Sequence, residues 1–327
     1  MSKKFTIEEY RQSFLSKERL HELYDQKLFK LFVPEKYGGL ELGIKEGVDQ
    51  LIRAASVQGG LGWTLNLGAG ANWFSGFLSH QAAQELFSAK EAVIAGSGFA
   101  SGTFKEKQKE YVINGTWSRC TGADHATFFS LNAKNENGTI KTFVVPRDQV
   151  RLSDEKWAIV GLRNTSSYGI TILQEKVPSR YQFEINTIQN PHAYWVHNVP
   201  FEVFARICMS ASFVGIVKCL VQACRDYPLN DASTKLIDEH LQPLLFEVEK
   251  GCIDWVNKTE QSVQSSQMTT AFSEQLKGGL SERNLKLFHA VQKLFLTGGL
   301  PFVEENTLVH WAYRDLLTAV QHQMVKG

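Results

Sequence analysis

The 327-residue sequence has almost no net charge, few cysteines and no cluster of basic residues. Its 35 Lys and Arg residues exceed its 34 Asp and Glu residues by one, so the electrostatic attraction that drives binding to nucleic acids is missing. The cysteines are odd in number and form no CxxC pair, which argues against a disulfide framework and a structural zinc site. They are Cys120, Cys208, Cys219, Cys224 and Cys252. We therefore expect a cytoplasmic protein that binds neither nucleic acid nor metal.

The sequence also lacks an export signal and an uncharged membrane span. The N-terminal segment MSKKFTIEEYRQSF carries charges where a signal peptide needs an apolar run. The longest apolar stretch, residues 201–222, contains Glu202, Arg206 and Lys218, so it predicts a buried helix and no membrane association. No G-x-G-x-x-G lies at a strand-to-helix junction, and P-loop, H-E-x-x-H and G-x-S-x-G motifs are missing. A doubly wound nucleotide-binding fold is therefore disfavoured.

Three zones of different texture divide the chain. Helical apolar spacing fills residues 1–90, short β-like runs fill residues 91–185, and the helical period returns over residues 186–327. This order is not the alternation that builds a parallel α/β sheet, so it predicts an α+β chain of three domains with these limits and with shared interfaces. The pair Asn137-Gly138 indicates a type I′ hairpin, and residues 114–115 are a candidate for a second hairpin.

Four segments in these zones carry a recognisable pattern. They are residues 28–40 (LFKLFVPEKYGGL), 111–126 (YVINGTWSRCTGADHA), 157–167 (WAIVGLRNTSS) with Val177-Pro178 beyond it, and 297–299 (TGG) followed by 313–315 (YRD) and 321–322 (QH). Each segment is short, but their shared order across almost the whole chain resembles the acyl-CoA dehydrogenase superfamily. The resemblance implies an N-terminal helical domain, a central β-barrel-like sheet domain and a C-terminal helical bundle.

The resemblance further implies a flavin, FAD or FMN, between the sheet domain and the C-terminal helices. The residues that it assigns to the cofactor are Trp117, Thr121, Gly122, Arg163, Gly298 and Gly299. Trp117 would pack on the ring, the Thr121 hydroxyl would reach flavin N5, and a backbone N–H near Gly122 would approach the ring.

Each of these residues also has a purely structural interpretation. Trp117 is equally typical of a sheet core, and residues 121–122 of a simple turn. Arg163 would lie near the cofactor or a neighbouring subunit, or else form a surface ion pair of little energetic value. The Gly298-Gly299 pair would let the backbone approach the flavin's phosphate or adenine portion, or else terminate a helix.

The last helical segment separates two chemistries within the superfamily. Dehydrogenases need a carboxylate base, but an ungapped alignment on Arg314-Asp315 places Gln323 at its position, and an amide cannot take the proton. Some members of the superfamily draw the base from the first helix of the C-terminal domain instead. Glu202 lies near that position, but about one helical turn too early in the sequence. The flavin-dependent monooxygenases of the superfamily typically carry arginine-aspartate followed by histidine, which residues 313–322 match. Asp315 and His322 are seven residues apart, which on one continuous helix places both on one face.

We therefore expect a flavin-dependent oxidoreductase, with a monooxygenase using reduced flavin and O₂ on a small organic substrate as the leading interpretation. His322 would be the catalytic residue because an imidazole moves protons near neutral pH, and His125 is a secondary candidate for the same cavity. The alternatives are an FAD-dependent acyl-CoA dehydrogenase and a non-catalytic relative that has lost the flavin. A flavin reductase and a homo-oligomer, dimer or tetramer, are the expected partners.

Overall fold

The computed structural model describes residues 4–327, and it follows the predicted order of helices, strands and helices. Five helices precede the sheet, and short 3₁₀ turns connect several of them. They are α1 (Ile7–Arg11), α2 (Lys17–Asp25), α3 (Ile44–Val57), α4 (Gly59–Asn72) and α5 (His80–Phe87). The side chains of Thr6, Ser16 and Ser79 cap the first, second and fifth of these helices, which explains where they begin.

Seven strands form one mixed sheet. They are β1 (Ile94–Lys107), β2 (Glu110–Cys120), β3 (Phe128–Lys134), β4 (Ile140–Pro146), β5 (Arg151–Lys156), β6 (Tyr168–Pro178) and β7 (Gln182–Phe183). Their order across the sheet is β5-β6-β2-β1-β3-β4-β7, with β1 and β3 parallel. Within residues 4–327 the outer strands β5 and β7 do not pair with each other, so the sheet is open. The prediction of a barrel-like sheet is not confirmed.

The two Asn-Gly pairs have different outcomes. Strands β3 and β4 pair antiparallel around residues 137–138, which confirms the first hairpin. Of those two residues only Gly138 has a positive φ, 82°, so the turn is not type I′. The Asn135 side chain closes it instead by accepting N–H bonds from Asn137 and Thr139.

The second predicted hairpin, at residues 114–115, is wrong. Gly115 lies inside β2, where the register against β6 shifts between Ile113 and Gly115. A Cβ on Gly115 would lie 2.5 Å from the Cα of Gly102 in β1. The glycine therefore serves close packing of two strands at a bulge rather than a chain reversal.

Six helices complete the chain. They are α6 (Phe201–Arg225), α7 (Asp231–Leu236), α8 (Gln242–Gln264), α9 (Thr270–Gly298), α10 (Leu308–Ala319) and α11 (Gln323–Lys326). A π-helical turn, Ile237–Leu241, joins α7 to α8 just before Pro243. Proline lacks the N–H that an α-helix would use and clashes with the preceding turn, so the wider turn accommodates it.

Helix α6 is the central element of the C-terminal part. It is long and apolar enough to cross a membrane by length and composition, but 83% of its apolar window is buried inside the fold. This burial is typical of a core helix and agrees with the prediction of a buried helix. Helices α3, α4, α8, α9 and α10 pack against it.

The predicted domain limits fall in connecting segments. Residue 90 lies between α5 and β1, and residue 185 lies between β7 and α6. Helix α1 packs against both α10 and the 3₁₀ turn Arg163–Thr165, so the three zones share interfaces, as the sequence predicted. The division into three domains remains a prediction.

Candidate functional site

Two loops at the end of β2 and before β6 meet edge to edge. The Gly122 N–H donates to the carbonyl of Thr165 (2.9 Å), and the Ala123 N–H donates to the carbonyl of Ser166 (3.1 Å). Gly122 has a φ of +79°, which glycine adopts without a Cβ penalty. The N–H groups that we expected to face a cofactor are therefore engaged inside the protein. A cofactor contact by Gly122 itself remains a prediction.

The same two loops bring three hydroxyl groups into a chain. The Thr165 hydroxyl donates to the carbonyl of Leu162 (2.8 Å), and its Oγ1 lies 3.0 Å from the Oγ of Ser167. The Ser167 Oγ lies 3.1 Å from the Oγ1 of Thr121. The exposed fraction rises along the chain, from 3% for Thr165 to 6% for Ser167 and 9% for Thr121. Thr121, the residue predicted to reach flavin N5, is therefore the outer end of a buried hydroxyl chain.

His125 stands beside this chain. A Cβ on Gly122 would lie 3.1 Å from the Nε2 of His125, and the His125 ring centroid is 5.7 Å from that of Phe29. Burial lowers the pKa of His125 to about 4, against the opposing charge of Asp124. The imidazole is therefore neutral at pH 7, with one nitrogen that donates and one that accepts.

Asp315 connects the second loop to helices α4 and α10. Its Oδ1 accepts the N–H of Leu162 (2.5 Å), and its Oδ2 accepts a bond from the Gln58 side chain (3.1 Å). Burial raises the pKa of Asp315 to about 7, although N–H bonds from Leu162 and Gly60 oppose the increase. Because its oxygens are occupied by these donors, Asp315 positions the loop and is not an available base.

Helix α10 holds the preceding residues of this loop as well. The Arg314 Nε donates to the carbonyl of Val160 (2.6 Å), and the Gly161 N–H donates to the Thr318 hydroxyl (2.8 Å). Burial lowers the pKa of Arg314, and the positive charge of Arg163 lowers it further. Arg163 itself is exposed. Arg163 therefore lies on the outer side of the loop, where its predicted contact with a cofactor or a subunit remains untested.

Trp117 lies in the core of the sheet. Its side chain has no exposed surface, and its Nε1 donates to the carbonyl of Asn132 (2.8 Å). A Cβ on Gly102 would collide with the Trp117 ring. This placement favours the structural interpretation, since no face of the ring is accessible to a cofactor.

The two glycines at the end of α9 differ from each other. A Cβ on Gly298 would collide with the ring of Phe302, so this glycine is used in packing. Gly299 has a φ of +72°, and a Cβ added there would have no neighbouring atom within 4 Å. This geometry ends the helix and agrees with the structural interpretation. The open space at Gly299 leaves its cofactor role as a prediction.

His322 is not on the same helix as Asp315. Helix α10 ends at Ala319, and His322 caps the short α11, where its Nδ1 accepts the N–H of Met324 (3.2 Å). The expected helical face shared by Asp315 and His322 is therefore wrong. Since Nδ1 accepts, the neutral ring carries its proton on Nε2.

The His322 imidazole is half-buried against Trp63, with ring centroids 5.6 Å apart. Burial lowers the pKa of His322, and the positive charge of Arg206 lowers it further. Arg206 is itself buried and ion-paired with the half-exposed Glu202, while its Nη1 has no hydrogen-bond partner among residues 4–327. Glu202 is therefore engaged at the surface, which agrees with its rejection as a base.

Helix α4 brings His322 near the two loops. Gly60 of α4 lies against the Asn164 side chain. A Cβ on Gly60 would collide with the Oδ1 of Asn164. Trp63, which contacts His322, follows Gly60 by three residues, and residues three apart are neighbours on one helix face. His322 and the loop containing Asn164 therefore lie about one helical turn apart along α4.

The residues that support Thr121 and His322 were not predicted from the sequence. Thr165 and Ser167 lie within a segment that we used only to recognise the family. The run of three hydroxyl residues at 165–167 is the sequence signal that could have indicated their role. Trp63 and Gln58 carried no motif, because their roles depend on packing between helices.

Comparison with known proteins finds similarity to flavin-dependent monooxygenases and hydroxylases. No family model matches the chain. The chain is 30% identical over 166 residues to the pigment production hydroxylase of a Rhodococcus species, covering 49% of this chain and 43% of that protein. It is 25% identical over 206 residues to the oxygenase subunit HsaA of a flavin-dependent monooxygenase from Rhodococcus jostii, covering 59% and 54%. The matched region thus spans about half the length of these relatives.

Solved structures show the same fold over nearly the whole chain. The HsaA monooxygenase from M. tuberculosis superposes with a TM-score of 0.87 at 19% identity, covering 97% of this chain and 89% of that one. XiaF from Streptomyces, solved with FADH₂ and glycerol, also gives 0.87, at 17% identity and coverage of 97% and 87%. The predicted acyl-CoA dehydrogenase-like fold is confirmed, and the names of the sequence relatives support the resemblance to its monooxygenase branch.

Proposed function

We propose that this chain is the oxygenase component of a flavin-dependent monooxygenase that uses reduced flavin and O₂ to hydroxylate a small organic substrate. The observation that carries the proposal is the placement of His322. It is an imidazole with lowered pKa, half-buried against Trp63, and it directly precedes Gln323, the amide that the ungapped alignment places where a dehydrogenase would need a carboxylate. The sequence relatives, which are oxygenase subunits and hydroxylases, support the same activity.

The chain's own residues fit a flavin at the outer end of the hydroxyl chain. Thr121 presents a buried, fixed hydroxyl beside the neutral His125, a suitable neighbour for a ring nitrogen. A bound reduced flavin would supply the two electrons and the site of reaction with O₂. XiaF has been solved with FADH₂, and KijD3, which shares the fold, with FMN.

Proton movement is the task of His322 in this proposal. Its Nδ1 is held by the Met324 N–H, so Nε2 is the atom that exchanges a proton with the hydroxyl or heteroatom of a substrate. Trp63 packs against the ring in a T-shaped contact, and such an apolar neighbour would limit access of water. Keeping water away from the reacting atoms favours coupled oxidation of the substrate.

We further infer a flavin reductase as partner, since an oxygenase component receives its flavin already reduced. We also infer a homo-oligomer, supported by three exposed apolar side chains at the end of α9. We call this set the α9 apolar end; it consists of Leu296, Leu300 and Val303, exposed by 80%, 67% and 55%. A cytoplasmic location is supported by the five free, buried cysteines.

Anaerobic equilibrium dialysis with FMN and FAD, each oxidised and reduced, tests the proposal. We expect reduced flavin to bind, and a panel of phenols to gain oxygen when air is admitted. Tight binding of oxidised FAD that acyl-CoA then bleaches would indicate a dehydrogenase. Binding of neither flavin would indicate a non-catalytic protein, and either result would refute the proposal.

The role of His322 is tested separately. The variant His322→Ala should still bind reduced flavin but yield less hydroxylated product per flavin oxidised, with more hydrogen peroxide released. His289→Ala removes an exposed imidazole on α9 and should leave the coupling unchanged. Equal coupling in His322→Ala and the unmodified protein would remove His322 from the mechanism.

A further inference from the structure

The hydroxyl chain has a fixed direction. The carbonyl of Leu162 can only accept, so the 2.8 Å contact uses the Thr165 proton. The 3.0 Å contact between Thr165 and Ser167 must then use the Ser167 proton. The 3.1 Å contact between Ser167 and Thr121 must in turn use the Thr121 proton. Three contacts and three protons allow this one arrangement, because each hydroxyl donates once.

Thr121 is consequently left with lone pairs and no proton to offer. It is the outermost of the three hydroxyls, although more than nine-tenths of it is buried. A ligand group that meets its Oγ1 must therefore be a donor, since an acceptor would leave two buried lone pairs facing each other. An unsatisfied buried contact of that kind is unfavourable.

We propose that this directed chain makes the site select reduced flavin over oxidised flavin. The inference rests on the proposed function and concerns the same site. N5 of an oxidised flavin is an acceptor, whereas N5 of a reduced flavin carries a hydrogen and donates. A Thr121 hydroxyl held as an acceptor matches the reduced ring and opposes the oxidised one. Ser167 and Thr165 act as positioning residues, because they set the direction of the Thr121 hydroxyl without reaching the ring.

This selection suits an oxygenase component. Such a protein must capture reduced flavin and release the oxidised product before the next turnover. The preference arises from the backbone carbonyl of Leu162, whose position is fixed by the Asp315 carboxylate bound to the Leu162 N–H. The direction of the chain is thus set by the folded loop.

The variant Ser167→Ala tests the direction. It frees the Thr121 proton, which can then turn outward and donate to N5 of the oxidised ring. We expect the ratio of the dissociation constants of oxidised and reduced flavin to fall by about fivefold or more, the effect of one hydrogen bond. Thr165→Val should act similarly, because Ser167 then turns its proton toward Thr121. Thr165→Ser keeps every hydroxyl and should retain the ratio of the unmodified protein.

The dissociation constants are measured by anaerobic equilibrium dialysis with FMN and FAD in both redox forms. Oxidised 5-deazaFMN, which has a C–H group in place of N5, gives a second readout that needs no reductant. The unmodified protein should bind 5-deazaFMN more tightly than FMN, and Ser167→Ala should reverse that order. Thermal unfolding of each variant checks that the fold is retained.

The outcomes separate this inference from the proposed function. If neither flavin binds in either redox form, the proposed function and the inference both fail. If reduced flavin binds but Ser167→Ala has the same ratio as the unmodified protein, the directed chain is refuted and the proposed function stands. A changed ratio in Thr165→Ser would likewise refute the inference, since that variant preserves the chain.

Discussion

The left-handed backbone conformation of Gly122 contributes to the shape of the candidate site. We expect Gly122→Ala to lower the free energy of unfolding by about 2 kcal/mol, because it adds left-handed strain and a contact with His125. Gly138→Ala is the matched control, since Gly138 has a similar φ, 82°, with open space around it. It should cost only about 1 kcal/mol. Urea unfolding measures both, and equal losses would mean that the His125 contact is unimportant.

His197 predicts a pH dependence of stability away from the site. It is buried, and burial lowers its pKa to about 4, below the value near 6.5 of an unfolded chain. The unfolded state therefore binds the proton first as pH falls. The stabilisation is complete above pH 6.5 and declines by about 3 kcal/mol on lowering the pH to 4.

The variant His197→Asn tests this dependence. Its side-chain oxygen can accept the Tyr194 N–H that the His197 Nδ1 now accepts, but it does not titrate. The difference in unfolding free energy between the two proteins should shrink as pH falls from 6.5 to 4. The raised pKa of Asp315 makes stability fall with rising pH between about 4 and 7. This contribution is the same in both proteins, so it cancels when their unfolding free energies are subtracted. A difference that stays constant with pH would contradict the prediction.

The individual site residues were only partly predictable from sequence. Motifs pointed to Thr121 and His322, because these positions follow recognisable segments. The contact of Thr121 with Ser167 depends on positive φ values at Leu162 and Ser166. Neither residue is a glycine, so the sequence does not indicate these backbone conformations. For Trp117, a strand pattern cannot show which face of a sheet a side chain occupies, so the sequence left both its core and its cofactor interpretation open.

At the scale of elements, α10 and the loop before β6 behave as one unit. Three side chains of α10 hold consecutive backbone groups of that loop: Arg314 holds the Val160 carbonyl, Thr318 the Gly161 N–H and Asp315 the Leu162 N–H. The Arg-Asp pair recognised in the sequence thus has a structural consequence that its motif did not reveal. It fixes the loop that carries the hydroxyl chain.

We predict unequal costs when this anchoring is removed. Asp315→Ala should lower the free energy of unfolding by about 3–5 kcal/mol, because it leaves several buried donors unpaired. Thr318→Val should cost about 1 kcal/mol, since it leaves only the Gly161 N–H without an acceptor. Both should speed hydrogen exchange of residues 160–167, measured by mass spectrometry, while Thr318→Ser should not. Unchanged exchange in Asp315→Ala would show that the loop holds its conformation independently.

Element boundaries explain the error at His322. The Asp315-to-His322 spacing was interpreted on one continuous helix, but the chain turns at residues 320–322 and restarts at α11. Without a proline or glycine there, the sequence carries no obvious stop signal. His322 marks the boundary itself, since its side chain accepts the Met324 N–H as a cap.

For the whole molecule, the order of zones was predictable because hydrophobic periodicity differs between helices and strands. The closure of the sheet was not, since it depends on whether β5 and β7 meet, and no local pattern encodes that. The three parts were expected to share interfaces, and Tyr10 of α1 packs near Trp311 of α10 and bonds with Cys219 of α6. Long-range packing of this kind joins the first and last zones.

The α9 apolar end gives the last prediction, which concerns assembly. Its three exposed side chains, Leu296, Leu300 and Val303, lie within eight residues of one another, and clustered exposed apolar groups favour association. We expect the protein to be a homo-oligomer by light scattering after size exclusion, and Leu296→Glu combined with Leu300→Glu to shift it toward monomer. Ile140→Glu changes a similarly exposed residue, 57%, on β4 and should leave the mass unchanged. An unmodified protein that is monomeric at every concentration would contradict the homo-oligomer, and dissociation by Ile140→Glu alone would place the interface on the sheet.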